Sequence, residues 1–196
     1  MSGNVLTVLD LKNVPDEIVV EKILSTRNSK LFEVIYDRYA DRIYNKCISF
    51  SHDPTIAEDL THEVLVKIYM KLATFNHKSS FSTWMYSITY NHCADFYKRQ
   101  TRQREEKESL TVELRELASP SDEELFEIKI NRLSTLLNKL EPEERMILLM
   151  KYRDDVSIKE LSRILELNDS AVKMRLSRAR QKIIDLNKAL FSENIY

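Results

Sequence analysis

A chain of 196 residues whose only glycine is Gly3 has given up most of the ways a backbone turns tightly. Two-residue β-hairpins rely on glycine at positive φ, and so do phosphate-cradling loops and the dinucleotide fingerprint. Sheet-rich folds and nucleotide-driven enzymes are therefore disfavoured together. Helices joined by polar turns remain, and a composition of 43% apolar and 31% charged residues suits amphipathic helices around a buried core. The expected fold is all-α: two small helical domains joined by a linker, with a carboxy-terminal helix-turn-helix.

The formal net charge is only −1, so any nucleic-acid surface must come from segregated charge. Cys47 and Cys93 stand far apart with no paired CxxC and no secretory signal at the start, which points to a reducing cytoplasm and to small buried hydrophobes. No apolar run approaches membrane-spanning length, so membrane insertion is not expected. His52, His62, His77 and His92 lack HExxH or Cys-His spacing. No metal, cofactor or catalytic residue is expected, and the chain reads as a non-enzyme.

The most informative segment runs from Ser157 to Lys182. Ser157 and Glu160 form a capping-box pair, and Ile158, Leu161, Ile164 and Leu165 recur at helical spacing behind it. Glu166, Leu167 and Asn168 interrupt the period, and Asn168 or Asp169 can cap a second helix with the stripe Val172, Leu176, Ala179 and Ile183. Its other face carries Lys173, Arg175, Arg178, Arg180 and Lys182 with no acidic residue among them. Such a run repels itself unless something anionic faces it. Two helices about a short turn, the second cationic, fit a helix-turn-helix whose second helix enters the major groove. Ser170, Lys173, Met174, Ser177 and Arg178, with Ala171 beside them, would face base edges. Arg175, Arg180 and Lys182 would meet phosphates. The competing reading is a solvated charged helix in a bundle.

Elsewhere the chain divides as follows. Residues 1–28 are an aperiodic tail, Met1 to Val14, and a first helix opened by Pro15 and Asp16 and running to about Ser25. From Ser29, Leu31, Phe32, Ile35, Tyr36, Tyr39, Ile43, Tyr44, Cys47 and Ile48 keep helical spacing, with Asp37, Arg38, Asp41 and Arg42 outside. Asp53 and Pro54 then start a long helix on Ile56, Leu60, Val64, Ile68 and Leu72, whose outer face is acidic early and basic late. That face is either dipole-matched surface or an acidic dock for a basic partner. Thr74 to Ser80 is a polar connector. Phe81 to Tyr97 is an aromatic helix running into Lys98, Arg99, Arg102 and Arg104, which reads either as core or as a single-strand surface. Residues 29–103 form the first domain and 104–124 a linker, in which Glu105 to Leu117 could be frayed helix. The second domain, 125–196, opens on Leu125, Phe126, Ile128, Ile130, Leu133, Leu136 and Leu137, and Glu141-Pro142-Glu143-Glu144 marks a further helix start.

The segments LFEVIYDRYADRIY, AEDLTHEVLVKIY and FSTWMYSITYNHCADFYKR, then LLNKLEPEERMILLMKY and SIKELSRILELNDSAVKMRLSRARQKI, closely resemble in order and spacing the two DNA-binding domains of bacterial sigma factors of the extracytoplasmic function group. The resemblance implies an alternative sigma factor that binds core RNA polymerase and directs it to promoters through minus-ten and minus-thirty-five elements, with an anti-sigma factor as a further partner. It makes residues 29–103 sigma region 2 and residues 125–196 sigma region 4. It assigns polymerase docking to Asp59, His62, Glu63, Val66 and Met70, His62 standing where relatives commonly have glutamine. The base pocket of the minus-ten element falls to Asn76, His77, Lys78 and Ser79, and its non-template strand to Tyr90, Asn91, Lys98 and Arg99. Trp84 is assigned to packing, and Ser87 and Ile88 stand where housekeeping sigma factors carry paired tryptophans. Glu166 replaces a glycine common at the family's turn, so either a left-handed conformation there costs about 1 kcal/mol or the turn differs slightly from the family's. The rival functions are a stand-alone helix-turn-helix regulator, which needs neither the Asp59 face nor the aromatic-basic helix, and a sigma mimic that sequesters an anti-sigma factor.

Overall fold

The computed structural model describes residues 7–105 and 132–191, which form helices and turns. The helices are α1 (Asp16–Thr26), α2 (Phe32–Ser51), α3 (Pro54–Lys71) and α4 (Phe81–Glu105), then α5 (residues 132–138), α6 (Pro142–Tyr152), α7 (Ile158–Leu165) and α8 (Asp169–Phe191).

Local rules account for most helix starts. The Asp53 carboxylate accepts from the amides of Thr55, at 2.8 Å, and Ile56, and Pro54 occupies the first turn of α3. Capping boxes open α6, between Glu141 and Glu144, and α7, between Ser157 and Glu160. The Ala171 amide donates to Asn168 Oδ1 at 2.8 Å at the start of α8.

Three expectations need correction. Residues 7–14 are not a loose tail: Leu9–Leu11 form a 3-10 turn and Leu11 is buried. Arg38 of α2 holds this stretch, donating to the carbonyls of Leu11, Lys12 and Val14 at 2.8 to 2.9 Å and pairing with Asp16. An order imposed by a distant arginine leaves no local period. Tyr36, counted with the core, is 42% exposed, whereas Lys46, on no apolar stripe, is 2% exposed. Finally, α4 runs past Tyr97 through Arg104 and Glu105, the first residues assigned to the linker. The remainder of that linker and the apolar start from Leu125 to Ile130 lie outside the described residues. So do residues 1–6 and 192–196.

The amino-terminal core packs α2, α3 and α4 around Ile35, Ile43, Phe50, Val64, Ile68, Phe81 and Met85. Trp84 is half-buried against Phe75 and Phe81, with ring centroids 5.6 Å from each, as the packing assignment expected. Cys47 and Cys93 are free, buried thiols with sulfurs 3.7 Å apart. In the carboxy-terminal half, Met146, Ile147 and Met150 of α6 meet Leu161 and Ile164 of α7 and Val172, Leu176 and Ala179 of α8. The two sets of helices form one continuous core, since α2 packs on α6 and α4 on α7.

Candidate nucleic-acid and polymerase interfaces

The turn between α7 and α8 puts Glu166 in the left-handed region, at φ 55° and ψ 40°, where its amide bonds back to the Ser162 carbonyl. The Leu167 amide reaches the same carbonyl at 3.0 Å. The turn therefore keeps left-handed geometry although a side chain occupies it. Behind it, Val172, Leu176 and Ala179 face inward, which turns Ser170, Lys173, Met174, Arg175, Ser177, Arg178 and Arg180 outward. Ala171 and Lys182 are half-buried. The expected outward face is thus largely present on one side of α8. An anion for part of it comes from the chain itself: Glu143 lies 3.5 Å from Arg175, and Glu144 2.8 Å from Lys182. Nothing in the spacing of α8 could have announced those partners on α6.

A second group surrounds the connector before α4. Asn76, His77 and Lys78 are exposed and Ser79 is half-buried. Asn76 Oδ1 accepts from the Lys78 amide at 3.3 Å, and His77, at φ 58°, packs on Phe75 with the rings tilted by 46° and centroids 4.6 Å apart. Along α4, Asn91, Lys98 and Arg99 are exposed, but Tyr90 is 9% exposed. Tyr90 sits at a cavity of about 200 Å³ walled by Glu143, Glu144, Ile147 and Leu165 together with Arg175 and Arg178. Burial, reinforced by Glu143, raises its phenol above the ordinary tyrosine value. The tyrosine expected to meet a DNA strand is therefore brought against the helix expected to read duplex DNA.

A third surface follows α3. Asp59, His62, Glu63, Val66 and Met70 are all exposed, Val66 by 58% and Met70 by 77%, and their spacing lines them along one face. Glu63 is fixed by the His92 ring at 2.9 Å. Tyr69, 43% exposed, extends the apolar part and meets Phe32 edge-on at 5.1 Å. Tyr36 lies one turn further along α2. Periodicity counted Tyr36 with the core because an outward aromatic at helical spacing looks the same as an inward one, and it left Tyr69 unassigned.

The two halves meet through polar contacts as well as apolar ones. Glu160, which caps α7 with one oxygen, accepts from Thr83 Oγ1 at 2.9 Å and Ser80 Oγ at 3.3 Å with the other. Burial raises this carboxyl, but hydrogen bonds from Ser157, Thr83 and Ser80 outweigh it and hold the group below the ordinary glutamate value. Tyr97 donates to Glu141 Oε2 at 3.1 Å. Lys46 pairs with Asp154, both nearly fully buried, and its ammonium lies 4.0 Å from the centre of the Tyr86 ring. Burial lowers the Lys46 ammonium and raises the Tyr86 phenol to about 12.

Comparison with known proteins gives the family. Residues 35–103 match the model of sigma-70 region 2, and residues 130–183 that of sigma-70, region 4. The chain is 27% identical over 161 residues to the ECF RNA polymerase sigma factor SigW of Bacillus subtilis, covering 78% of this chain and 86% of that one. It is 24% identical over 185 residues to the ECF RNA polymerase sigma-E factor of Escherichia coli K12, covering 88% and 94%. Among solved structures, CnrH in complex with the cytosolic domain of CnrY has the same fold, with a TM-score of 0.65 at 22% identity over 89% of this chain and 98% of that one. The sigma factor RpoE of Bartonella quintana, solved with the anti-sigma factor NepR, superposes with a TM-score of 0.61 at 20% identity, covering 84% and 98%.

Proposed function

The chain belongs to the sigma-70 family, in its extracytoplasmic function group, as an alternative sigma factor directing promoter-specific transcription, and we propose how its surfaces divide that work. The stripe of Asp59, His62, Glu63, Val66 and Met70, widened by Tyr69, docks on core RNA polymerase. Its carboxylates steer and register a basic partner while its apolar end supplies contact area. The connector Asn76, His77, Lys78 and Ser79 holds an extruded base of the minus-ten element, and Tyr90, Asn91, Lys98 and Arg99 follow the non-template strand. From α8, Ser170, Lys173, Met174, Ser177 and Arg178, with Ala171, read the minus-thirty-five element, while Arg175, Arg180 and Lys182 meet phosphates. The chain works in the bacterial cytoplasm and supplies no chemistry of its own; catalysis belongs to the polymerase.

One observation carries this reading: a single chain displays an acidic-apolar stripe on α3 and a cationic reading helix on α8, both exposed. A stand-alone regulator has no use for the first, and a mimic has no use for the second. The burial of Tyr90 against α6 and α8 supports a closed free form that must open before a promoter strand is taken up. Polymerase binding must part α4 from α6 and α8. An anti-sigma factor is the further partner we assign, in keeping with the complex described for the Bartonella quintana protein.

The test is run-off transcription from genomic fragments by core polymerase with and without the chain. New start sites are expected only when it is present, preceded by two shared elements. Duplex binding without polymerase dependence would favour the stand-alone regulator, and absence of both would favour the mimic.

A further inference from the structure

Among the described residues the contact between the halves buries two cationic side chains, and only one of them has a counter-charge there. Lys46 is met by Asp154. Arg145, on α6, is 5% exposed, and among the described residues no carboxylate reaches it. Its Nη1 donates to Asn138 Oδ1 at 3.1 Å, its Nη2 lies 3.0 Å from a ring nitrogen of His52, and its Nε has no partner. Burial alone lowers its pKa. A guanidinium is a planar fork of five donors that suits two oxygens of one anion, and leaving it dry and unpaired is unfavourable.

Arg145 stands in the wall of a groove of about 690 Å³ between α2, α5 and α6. Arg153, exposed, brings a second guanidinium to the same groove. Ile48, Leu133, Leu137 and Leu149 provide its apolar part. The volume is that of a small-molecule site, where a largely apolar wall binds and a few convergent polar groups orient. Among the described residues no acidic side chain lines it.

We propose that this groove binds a small amphiphilic anion, its phosphate or carboxylate group held by Arg145 and Arg153 and its apolar chain lying on Ile48, Leu133, Leu137 and Leu149. Because α2 belongs to one half and α5 and α6 to the other, the ligand bridges them, and occupancy favours the closed form over the open one. Resting on the sigma reading, that makes the groove a site through which such an anion restrains promoter uptake.

The test is calorimetric titration of the full chain with octyl phosphate and with octanoate, both below their micelle-forming concentrations. One site per chain is expected for at least one of them, and the better of the two identifies the headgroup. Arg153→Gln should weaken binding about tenfold, and Leu133→Ser several-fold, with the ligand-free melting temperature unchanged because both side chains are exposed. Octyltrimethylammonium, with the same chain and the opposite charge, should give no saturable heat. Failure of both anions to bind, equal binding of the ammonium compound, or affinities indifferent to both substitutions would overturn the proposal. Binding is read on the free chain, so its failure leaves polymerase-dependent initiation untouched, and loss of initiation would leave the binding standing.

Discussion

Glu166 shows what a chain without internal glycine does where a helix must end. Arg27, His52, His77, Asp155 and Glu166 all hold positive φ, and three of them, Arg27, His52 and Glu166, close α1, α2 and α7. A side chain in that region crowds its own carbonyl, so Glu166→Gly should stabilise the protein by about 1 kcal/mol, read as a higher urea midpoint with unchanged slope. A lower midpoint would mean that the glutamate side chain holds the turn. On α8 the residue proposed to read a base is Arg178, which is exposed, while the α6 carboxylates pair with Arg175 and Lys182. Arg178→Ala should cost about 1 to 3 kcal/mol of holoenzyme affinity for the minus-thirty-five element and relax preference at one base pair. Specificity profiles identical to wild type would remove it from base reading. These features were legible in the sequence because capping and helix facing depend on residues within a turn of one another. The Glu143 and Glu144 partners were not, for they reach α8 from another helix.

Between elements, two contacts bear on function. On α3 the exposed stripe is separate from the buried one, so its carboxylates can be removed without opening the core. Asp59→Ala with Glu63→Ala should weaken association with core polymerase by about 1 kcal/mol, more at low salt, with an unchanged melting profile. Equal affinity would return these carboxylates to plain surface. Between α7 and α4, Glu160 is charged and hydrogen-bonded in the folded state, and its carboxyl is held below its ordinary value of 4.5. Such a group stabilises the contact fully above that value and ceases to do so as the pH falls through its lower folded value. Wild type should therefore lose its lead over Glu160→Gln as the pH is taken below about 4, a convergence visible in pH-resolved melting curves. Parallel curves would show that the Glu160 charge contributes nothing to the packing. Both helices were legible as elements, from Asp53 and Pro54 in one case and Ser157 and Glu160 in the other. That the capping glutamate also reaches Ser80 and Thr83 was not.

At the scale of the molecule, a buried ion pair with one member in each half adds to the apolar packing that holds the halves together. Removing one partner strands the other, an arrangement worth about 3 to 5 kcal/mol when the survivor cannot reach water. Here it can, by separation of the halves, so Asp154→Ala should open the chain rather than unfold it. The expected result is a larger radius of gyration by X-ray scattering with helical content retained. Lys46→Met combined with Asp154→Leu should restore the compact form, since packed apolar groups replace a buried pair with little loss. A single variant as compact as wild type would show that the pair does not hold the halves. The sequence by itself determined most of the helices, their caps, the cationic face of α8 and the likeness to region 2 and region 4, because each is written in residues that are neighbours along the chain. Only the tertiary structure decided that Lys46 and Arg145 are buried, that residues 7–14 are clasped by Arg38, and that Tyr90 lies against Arg175 and Arg178. Those outcomes arise where two helix faces, each already amphipathic, meet from distant parts of the sequence, and no period along one helix records which face of another will cover it.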